Sequence, residues 1–174
     1  MIAVTVALLV VLSLAALPLW WRWVLPRPGV REVWVLGLLA LLGAAAVTAL
    51  AAGSPSGRWS EAALLTAAVV AGATGGGPVT EAVLRRASRG RAPAIDTEGG
   101  PQVLRGGAWI GALERVGVCV AILAGSAEAV AVVLAVKGLG RYPELRHPGA
   151  AERFIIGTLT SLLWAAGAVG VARI

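Results

Sequence analysis

The chain has few of the residues that build metal and redox centres. Its 174 residues include one cysteine, Cys119, and one histidine, His147. Zinc, haem and iron–sulfur sites need several such ligands, so we expect no metal and no cofactor. Cys119 has no second cysteine with which to form an internal disulfide. The serines have no histidine nearby in sequence, and a GxxxxGK[ST] nucleotide-binding motif is missing. No catalytic set emerges, so an enzyme is not the favoured interpretation.

Charge is also scarce. Charged residues make up 14% of the chain, against about 25% in soluble domains. Hydrophobic residues make up 58%, and the mean hydropathy is +0.84. Residues 1–21, 33–57 and 62–80 contain no charge, and each run approaches or exceeds the ~17–25 residues that cross a bilayer. Since the alternation of barrel strands is missing, we predict an all-α fold, a polytopic transmembrane helical bundle.

The hydrophobic runs predict six spans in one membrane domain. A glycine and a serine at 125–126 indicate a tight turn between the fourth and fifth spans. The alternative has five spans, with Val116–Val136 as one helix. Residues 87–106 are rich in Gly, Pro and Arg, which is typical of a flexible loop. The six predicted spans lie near 2–21, 33–52, 60–78, 107–124, 127–142 and 153–172.

Arginine is concentrated in the first, third and fifth loops. The positive-inside rule puts these loops, including 87–106, in the cytoplasm and both termini outside. The five-span alternative breaks this rule. The net charge of +6 is then explained by contact with anionic lipid headgroups, and no motif indicates nucleic acid. The Ala/Gly/Arg-rich composition suggests a bacterium, so we expect a bacterial cytoplasmic (inner) membrane protein.

Six charged residues interrupt the apolar C-terminal half. They are Glu114, Arg115, Lys137, Arg141, Glu152 and Arg153. A charge at bilayer depth costs ~2.5–3.5 kcal/mol even on lenient scales, so such groups are paired, hydrated or functional. Loop polarity brings all six to the cytoplasmic side, and we predict that they form one ligand-binding site. The competing interpretation is a salt-bridge network that only holds the helices in register.

Two local patterns bear on this predicted site. Small residues at four-residue spacing lead up to Arg115 and follow Arg153, which is typical of closely packed transmembrane helices. We therefore predict that the fourth and sixth helices pack together with both arginines inward. At Gly75–Pro78 we expect the third span to end, or a new helix to begin with Glu81 and Arg85 paired at i, i+4.

Three segments carry a resemblance to known sequences. They are LRGGAWIGALER at 104–115, AVKGLGR at 135–141 and AERFIIGTLTS at 151–161. Together they resemble the IGxLER, KxxxR and AExxxIGTL elements of a group of bacterial multi-pass inner-membrane proteins that has no known activity. The resemblance implies that the three elements belong together, but it implies no reaction. The chain departs from it at Gly138 and Gly140, where the group has a small Ser or Ala.

The six charges comprise four cations and two carboxylates. Arginine and lysine in a partly dehydrated pocket hold phosphate or carboxylate groups. We therefore predict binding, and by extension transport, of an anionic lipid headgroup or a small anionic solute. One alternative is a non-enzymatic structural or accessory subunit of a membrane complex. The other is a lipid-modifying enzyme with Glu114 as acid or base. The partners we expect are membrane lipids and either a membrane protein or further copies of the chain.

Overall fold

The structure is a computed structural model that describes residues 1–20, 28–52, 55, 57–88, 107–146 and 149–174. Within these residues the chain is all-helical, as predicted, with no strand. A short 3₁₀ helix, Glu144–Arg146, joins the last two α-helices. Most of the predicted loop 87–106, and His147, lie outside the described residues. The six α-helices are α1 (Ile2–Trp20), α2 (Pro28–Ala52), α3 (Arg58–Ala87), α4 (Gly107–Leu123), α5 (Ala127–Gly140) and α6 (Ala150–Val171).

Helix α3 is the centre of the bundle. It packs against α1 and α2 on one side and against α4 and α6 on the other. Its buried face consists largely of alanine and glycine, including Ala68, Ala71, Gly72, Gly75 and Gly76. Small side chains let helix backbones approach closely, so α3 can be surrounded by four neighbours. Helix α5 packs chiefly on α4 and buries none of its residues fully.

The predicted turn between α4 and α5 is confirmed. Gly125 has a φ of 70°, a left-handed conformation that glycine adopts without strain. Ser126 follows as the N-cap of α5, and its hydroxyl accepts a hydrogen bond from the Ala129 N–H at 3.1 Å. A single helix over Val116–Val136, which the five-span alternative needs, is therefore wrong.

Loss of this cap is expected to weaken α5. Ser126→Ala removes the acceptor for the Ala129 N–H and should lower the free energy of unfolding by about 1 kcal/mol. Unfolding with a denaturing detergent in mixed micelles measures the change. Ser126→Thr, which keeps the hydroxyl that accepts from Ala129 and donates to Glu128 at 3.1 Å, is the control and should unfold close to wild type. A wild-type midpoint for Ser126→Ala would contradict the assigned role.

Helix α3 runs unbroken through Gly75–Pro78 to Ala87. Both expectations for this segment, a helix end and a fresh helix start, are therefore wrong. Proline has no N–H, so Pro78 provides no helical donor to the Thr74 carbonyl. Just before this point, donors from other helices bond to carbonyls of α3. Trp164 Nε1 donates to the Ala71 carbonyl at 3.0 Å, and Arg115 Nε donates to the Ala73 carbonyl at 2.9 Å. Packing against α4 and α6 therefore stabilises α3 as a continuous helix through Pro78.

Four helices of the described chain are long and apolar enough to cross a bilayer, by length and composition. They contain the segments Ile2–Leu19, Gly29–Ala52, Arg58–Ala87 and Ala150–Val171. Large apolar side chains on their outer faces stay exposed, such as Leu163 at 73%, and lipid would cover such faces in a bilayer. These features indicate a helical membrane protein. Helices α4 and α5, with 17 and 14 residues, are shorter than these four.

Candidate functional site

Alternate helix ends meet at one end of the bundle, which we call the basic end. The carboxyl ends of α1, α3 and α5 lie there with the amino ends of α2, α4 and α6. Arg31, near the start of α2, donates to the Leu19 carbonyl at the end of α1 at 3.5 Å. It also donates to Glu81 near the end of α3 at 3.1 Å. The topology therefore collects the residues that flank the three arginine-rich loops at one end.

A cavity of about 640 Å³ opens at the basic end, and we call it the basic cavity. Its walls come mainly from α3, α4, α5 and α6. Among the described residues, its charged lining consists of four cations and one carboxylate. The cations are Arg115, Lys137, Arg141 and Arg153, and the carboxylate is Glu81. Four of the six residues that the sequence singled out therefore share one wall, whereas Glu114 and Glu152 do not line it. Their role in binding a ligand stays a prediction.

Glu114 faces the neighbouring helix rather than the basic cavity. Its Oε2 lies 2.5 Å from Lys137 Nζ, and the two side chains are 20% and 21% exposed. This ion pair connects α4 to α5. From the sequence, Glu114 was expected beside Arg115 and within reach of neighbouring helices, but its partner was not identified. Because this carboxylate is already engaged by Lys137 and does not line the basic cavity, its position weighs against Glu114 as an acid or base acting on a ligand there.

Arg115 is buried, with 4% of its surface exposed, as the sequence predicted. It crosses to α3, where Gly76 makes room for it, because a Cβ at that position would collide with the Arg115 side chain. Its Nε is held by the Ala73 carbonyl, so the guanidinium is fixed at the cavity wall. A planar guanidinium fixed in this way is suited to binding an anion.

The small-residue stripe on α6 packs differently from the prediction. Helices α4 and α6 do contact each other, but Gly157 faces α3. A Cβ there would lie 3.5 Å from Leu84 and 3.7 Å from Thr80. Arg153 stays exposed at the rim of the cavity rather than turning into the bundle. The small-residue face of α6 therefore packs against α3, whereas the sequence predicted that it packs against the small-residue face of α4.

Glu81 was missed as a lining residue, although its pairing with Arg85 was predicted. The pair is confirmed at 2.7 Å, and Glu81 also accepts from Arg31 at 3.1 Å. Glu81 is therefore paired with two arginines that are not among the described lining residues, so it neutralises little of the positive charge of the cavity lining. A second link between α2 and α3, Arg86 to Glu32 at 3.2 Å, reinforces this edge. The i, i+4 spacing could reveal the pair but not its place on the cavity wall.

Hydroxyl groups also line the basic cavity. Thr80 on α3 and Thr158 on α6 have buried hydroxyl oxygens with no hydrogen-bond partner among the residues that the structure describes. Ser161 lies on the same wall. A hydroxyl on a helix either bonds back to a carbonyl of its own helix or faces a neighbouring space. Thr160 bonds back, donating to the Ile156 carbonyl at 2.8 Å, whereas Thr158 borders the cavity. Thr80 had no signal in the sequence.

The described lining of the basic cavity offers cationic groups, hydroxyls and apolar side chains. Its charged lining holds guanidinium and ammonium groups and a carboxylate already engaged by two arginines. In the part of the chain that the structure describes, no group of three His, Cys, Asp or Glu side chains is placed to hold a metal ion. Fixed cations beside hydroxyl donors and apolar side chains are typical of a site for an anion with an organic portion.

Comparisons with known proteins add no constraint to this geometry. The chain matches no protein-family model, no curated protein and no solved structure. The resemblance carried by segments 104–115, 135–141 and 151–161 therefore stays an expectation, and the site is argued from its own residues.

Proposed function

We propose that the chain is an integral membrane protein that binds an anionic ligand, a lipid headgroup or a small solute, in the basic cavity. The observation that carries the proposal is the charge of the wall: four cations against one carboxylate among the described lining residues. Gathering like charges in a bundle this apolar is costly. An anion in the cavity offsets that cost.

The chemistry of the cations supports an oxyanion ligand. Three of them are arginines, Arg115, Arg141 and Arg153, whose planar forks donate pairs of hydrogen bonds to carboxylate or phosphate oxygens. Burial of Arg115 strengthens its attraction for an anion, since little water screens it there. The exposed Arg153 lies at the rim, where it can attract a ligand from solution or from the headgroup layer.

Charge distribution also supports an orientation. The described residues beside all three arginine-rich loops lie at the basic end, and the positive-inside rule assigns that end to the cytoplasm. We therefore propose that the basic cavity opens toward the cytoplasm, with both termini outside, in the cytoplasmic membrane of a bacterium. Cysteine labelling of single-cysteine variants at Ser88 and Ser60, with a membrane-impermeant maleimide, tests this. Labelling of position 88 in intact cells would contradict it.

Removing the two accessible arginines should weaken binding. Arg141→Gln combined with Arg153→Gln deletes two cations without deep repacking, and each lost charged hydrogen bond is expected to reduce affinity about tenfold. The probes are phosphatidate, phosphatidylglycerol and inorganic phosphate, and native mass spectrometry of purified protein measures their retention. Arg58→Gln is the matched control, because Arg58 is exposed at the opposite end of α3. Equal retention by the double variant and wild type would overturn the proposal.

The competing proposal is a structural or accessory subunit. It is favoured by the pairing of Lys137 with Glu114 and of Glu81 with two arginines, since paired charges can serve only to hold helices together. It predicts a stable complex with another membrane protein after gentle extraction. Recovery of the chain only as a lone protomer or as a homo-oligomer would count against it.

A further inference from the structure

Resting on the proposed function, we infer that the ligand is a membrane lipid, whose anionic headgroup lies in the basic cavity and whose acyl chains leave sideways between α5 and α6. The proposed function itself admits either a lipid headgroup or a dissolved solute. Three features of the structure favour the lipid. They are an apolar crevice beside the cavity, a helix that packs chiefly on one neighbour, and a buried hydroxyl where the crevice meets the cavity.

A narrow crevice between α4, α5 and α6, which we call the seam, adjoins the basic cavity. The two spaces share four lining residues, which are Arg115, Lys137, Thr158 and Ser161. The other described residues of the seam are Glu114 and four apolar ones, Val118, Val133, Leu134 and Leu162. Polar lining therefore gives way to apolar lining along one path. A lipid has the same division between headgroup and hydrocarbon, and a small solute does not.

Large apolar side chains flank the seam on the outer surface of the bundle. Val132 and Val136 of α5 are 61% and 65% exposed, and Leu159 and Leu163 of α6 are 54% and 73% exposed. Each of them is next in the chain to a residue that lines the seam. Lipid would cover these side chains in a bilayer. An acyl chain that leaves the seam therefore stays in contact with apolar surface.

Helix α5 is the wall of the seam that is best placed to move. The seam has a volume of about 10 Å³, about the space that one water molecule needs, so it must widen to admit an acyl chain. Helix α5 packs chiefly on α4 and buries none of its residues fully, and elements with few buried contacts open most readily. Movement of α5 away from α6 would widen the seam and leave the packing of α3 on α6 intact.

A buried hydroxyl lies where the seam meets the basic cavity. Thr158 lines both spaces, and its Oγ1 has no hydrogen-bond partner among the residues that the structure describes. A buried hydroxyl without a partner is costly, so a ligand that supplies an acceptor there is favoured. With the headgroup in the cavity and the chains in the seam, the ester carbonyls of a phospholipid lie at this junction. We therefore assign Thr158 to the ester region of the lipid.

Photocrosslinking in vesicles tests the path through the seam. The full chain is reconstituted in phosphatidylcholine with a minor share of phosphatidylglycerol, and p-benzoylphenylalanine replaces Leu134 or, as the matched control, Val33. Val33 also lies near the basic end and is 70% exposed, but it is not among the described residues that line either space. Phosphatidylglycerol should be enriched several-fold among the lipids crosslinked at position 134 relative to position 33. Equal shares at the two positions would overturn the inference.

Deacylated headgroups distinguish a lipid from a solute. Phosphatidylglycerol is compared with glycerophosphoglycerol, and phosphatidate with glycerol 3-phosphate, by native mass spectrometry for the lipids and calorimetry for the soluble compounds. In at least one pair the lipid should bind at least about tenfold more tightly than its headgroup. Equal affinity within both pairs would overturn the inference and leave anion binding in place. Failure of wild type to bind any of these probes or inorganic phosphate would overturn the proposed function itself.

A variant of Thr158 tests the position of the ester region. Thr158→Val removes the hydroxyl and should weaken binding of the ester-linked lipid several-fold, while binding of its diether analogue, which has no ester carbonyl, stays unchanged. Thr160→Val is the control, because its hydroxyl bonds to the Ile156 carbonyl of its own helix. An equal loss for the ester and diether lipids in Thr158→Val, or no loss for either, would overturn the assignment of this hydroxyl to the ester region.

Discussion

Replacing Gly75 by alanine is expected to destabilise the bundle by about 4 kcal/mol. Gly75 lies on the buried face of α3, and a Cβ there would occupy the position of the Trp164 indole ring. Trp164 is 4% exposed and donates to the Ala71 carbonyl at 3.0 Å, so it has little room to move. The added methyl group overpacks the interface, forces α6 away from α3 and weakens the hydrogen bond from the indole N–H to the Ala71 carbonyl.

The measurement is the free energy of unfolding in mixed micelles, with tryptophan fluorescence as a second observable. Gly43→Ala is the matched control, since Gly43 lies inside α2 and a Cβ there meets nothing within 4 Å. Alanine is the better helix former by about 0.5–1 kcal/mol, so this control should be as stable as wild type or slightly more so. A Gly75→Ala variant with wild-type stability would contradict the close packing of α3 on α6.

Neutralising Glu114 is expected to cost about 2 kcal/mol. Glu114→Gln leaves the Lys137 ammonium group without its carboxylate at a position that is 21% exposed. Breaking a fully buried pair costs about 3–5 kcal/mol, and partial exposure reduces this penalty because the lysine can extend toward water. The effect should appear mainly as loosening of α5, because α5 packs chiefly on α4.

A double-mutant cycle isolates the contribution of the pair. Glu114→Gln, Lys137→Gln and the double variant are compared by the same unfolding assay, and we expect a coupling free energy of about 1–2 kcal/mol. Glu61→Gln is the control, since this carboxylate is exposed at the other end of α3. A coupling near zero would remove the support that this pair gives to a structural role for the charges. Lipid binding measured on the same variants shows whether the pair also affects the cavity.

Helix positions were predictable because their causes are local. The described helices begin and end within five residues of five of the predicted spans, and α3 is the exception. Apolar runs, a glycine at a left-handed φ and a capping serine act over a few residues, so pattern alone revealed the turn at 125–126. The end of α3 was mispredicted because Pro78 is a local signal to stop, whereas the donors from Arg115 and Trp164 that support the helix come from distant segments.

Part of the candidate site was also predictable. Helix spacing and loop charge bring Arg115, Lys137, Arg141 and Arg153 toward one end, and the structure lines one cavity with all four. The contribution of α3 was not predictable, since Thr80 and Glu81 precede these residues by 34 positions or more in the chain. Nothing in their local pattern distinguishes a cavity wall from a solvated face.

The sequence by itself determined a helical, apolar chain with most of its basic residues in or beside alternate loops, because hydropathy, helix propensity and charge are local properties of the chain. Only the tertiary structure decided which charges face each other. It paired Glu114 with Lys137, turned Arg153 to the rim and placed α3 between the stripes of α4 and α6. These outcomes depend on the small-residue surface of α3, which lets four helices approach it, and such long-range packing leaves no periodic signal in the chain.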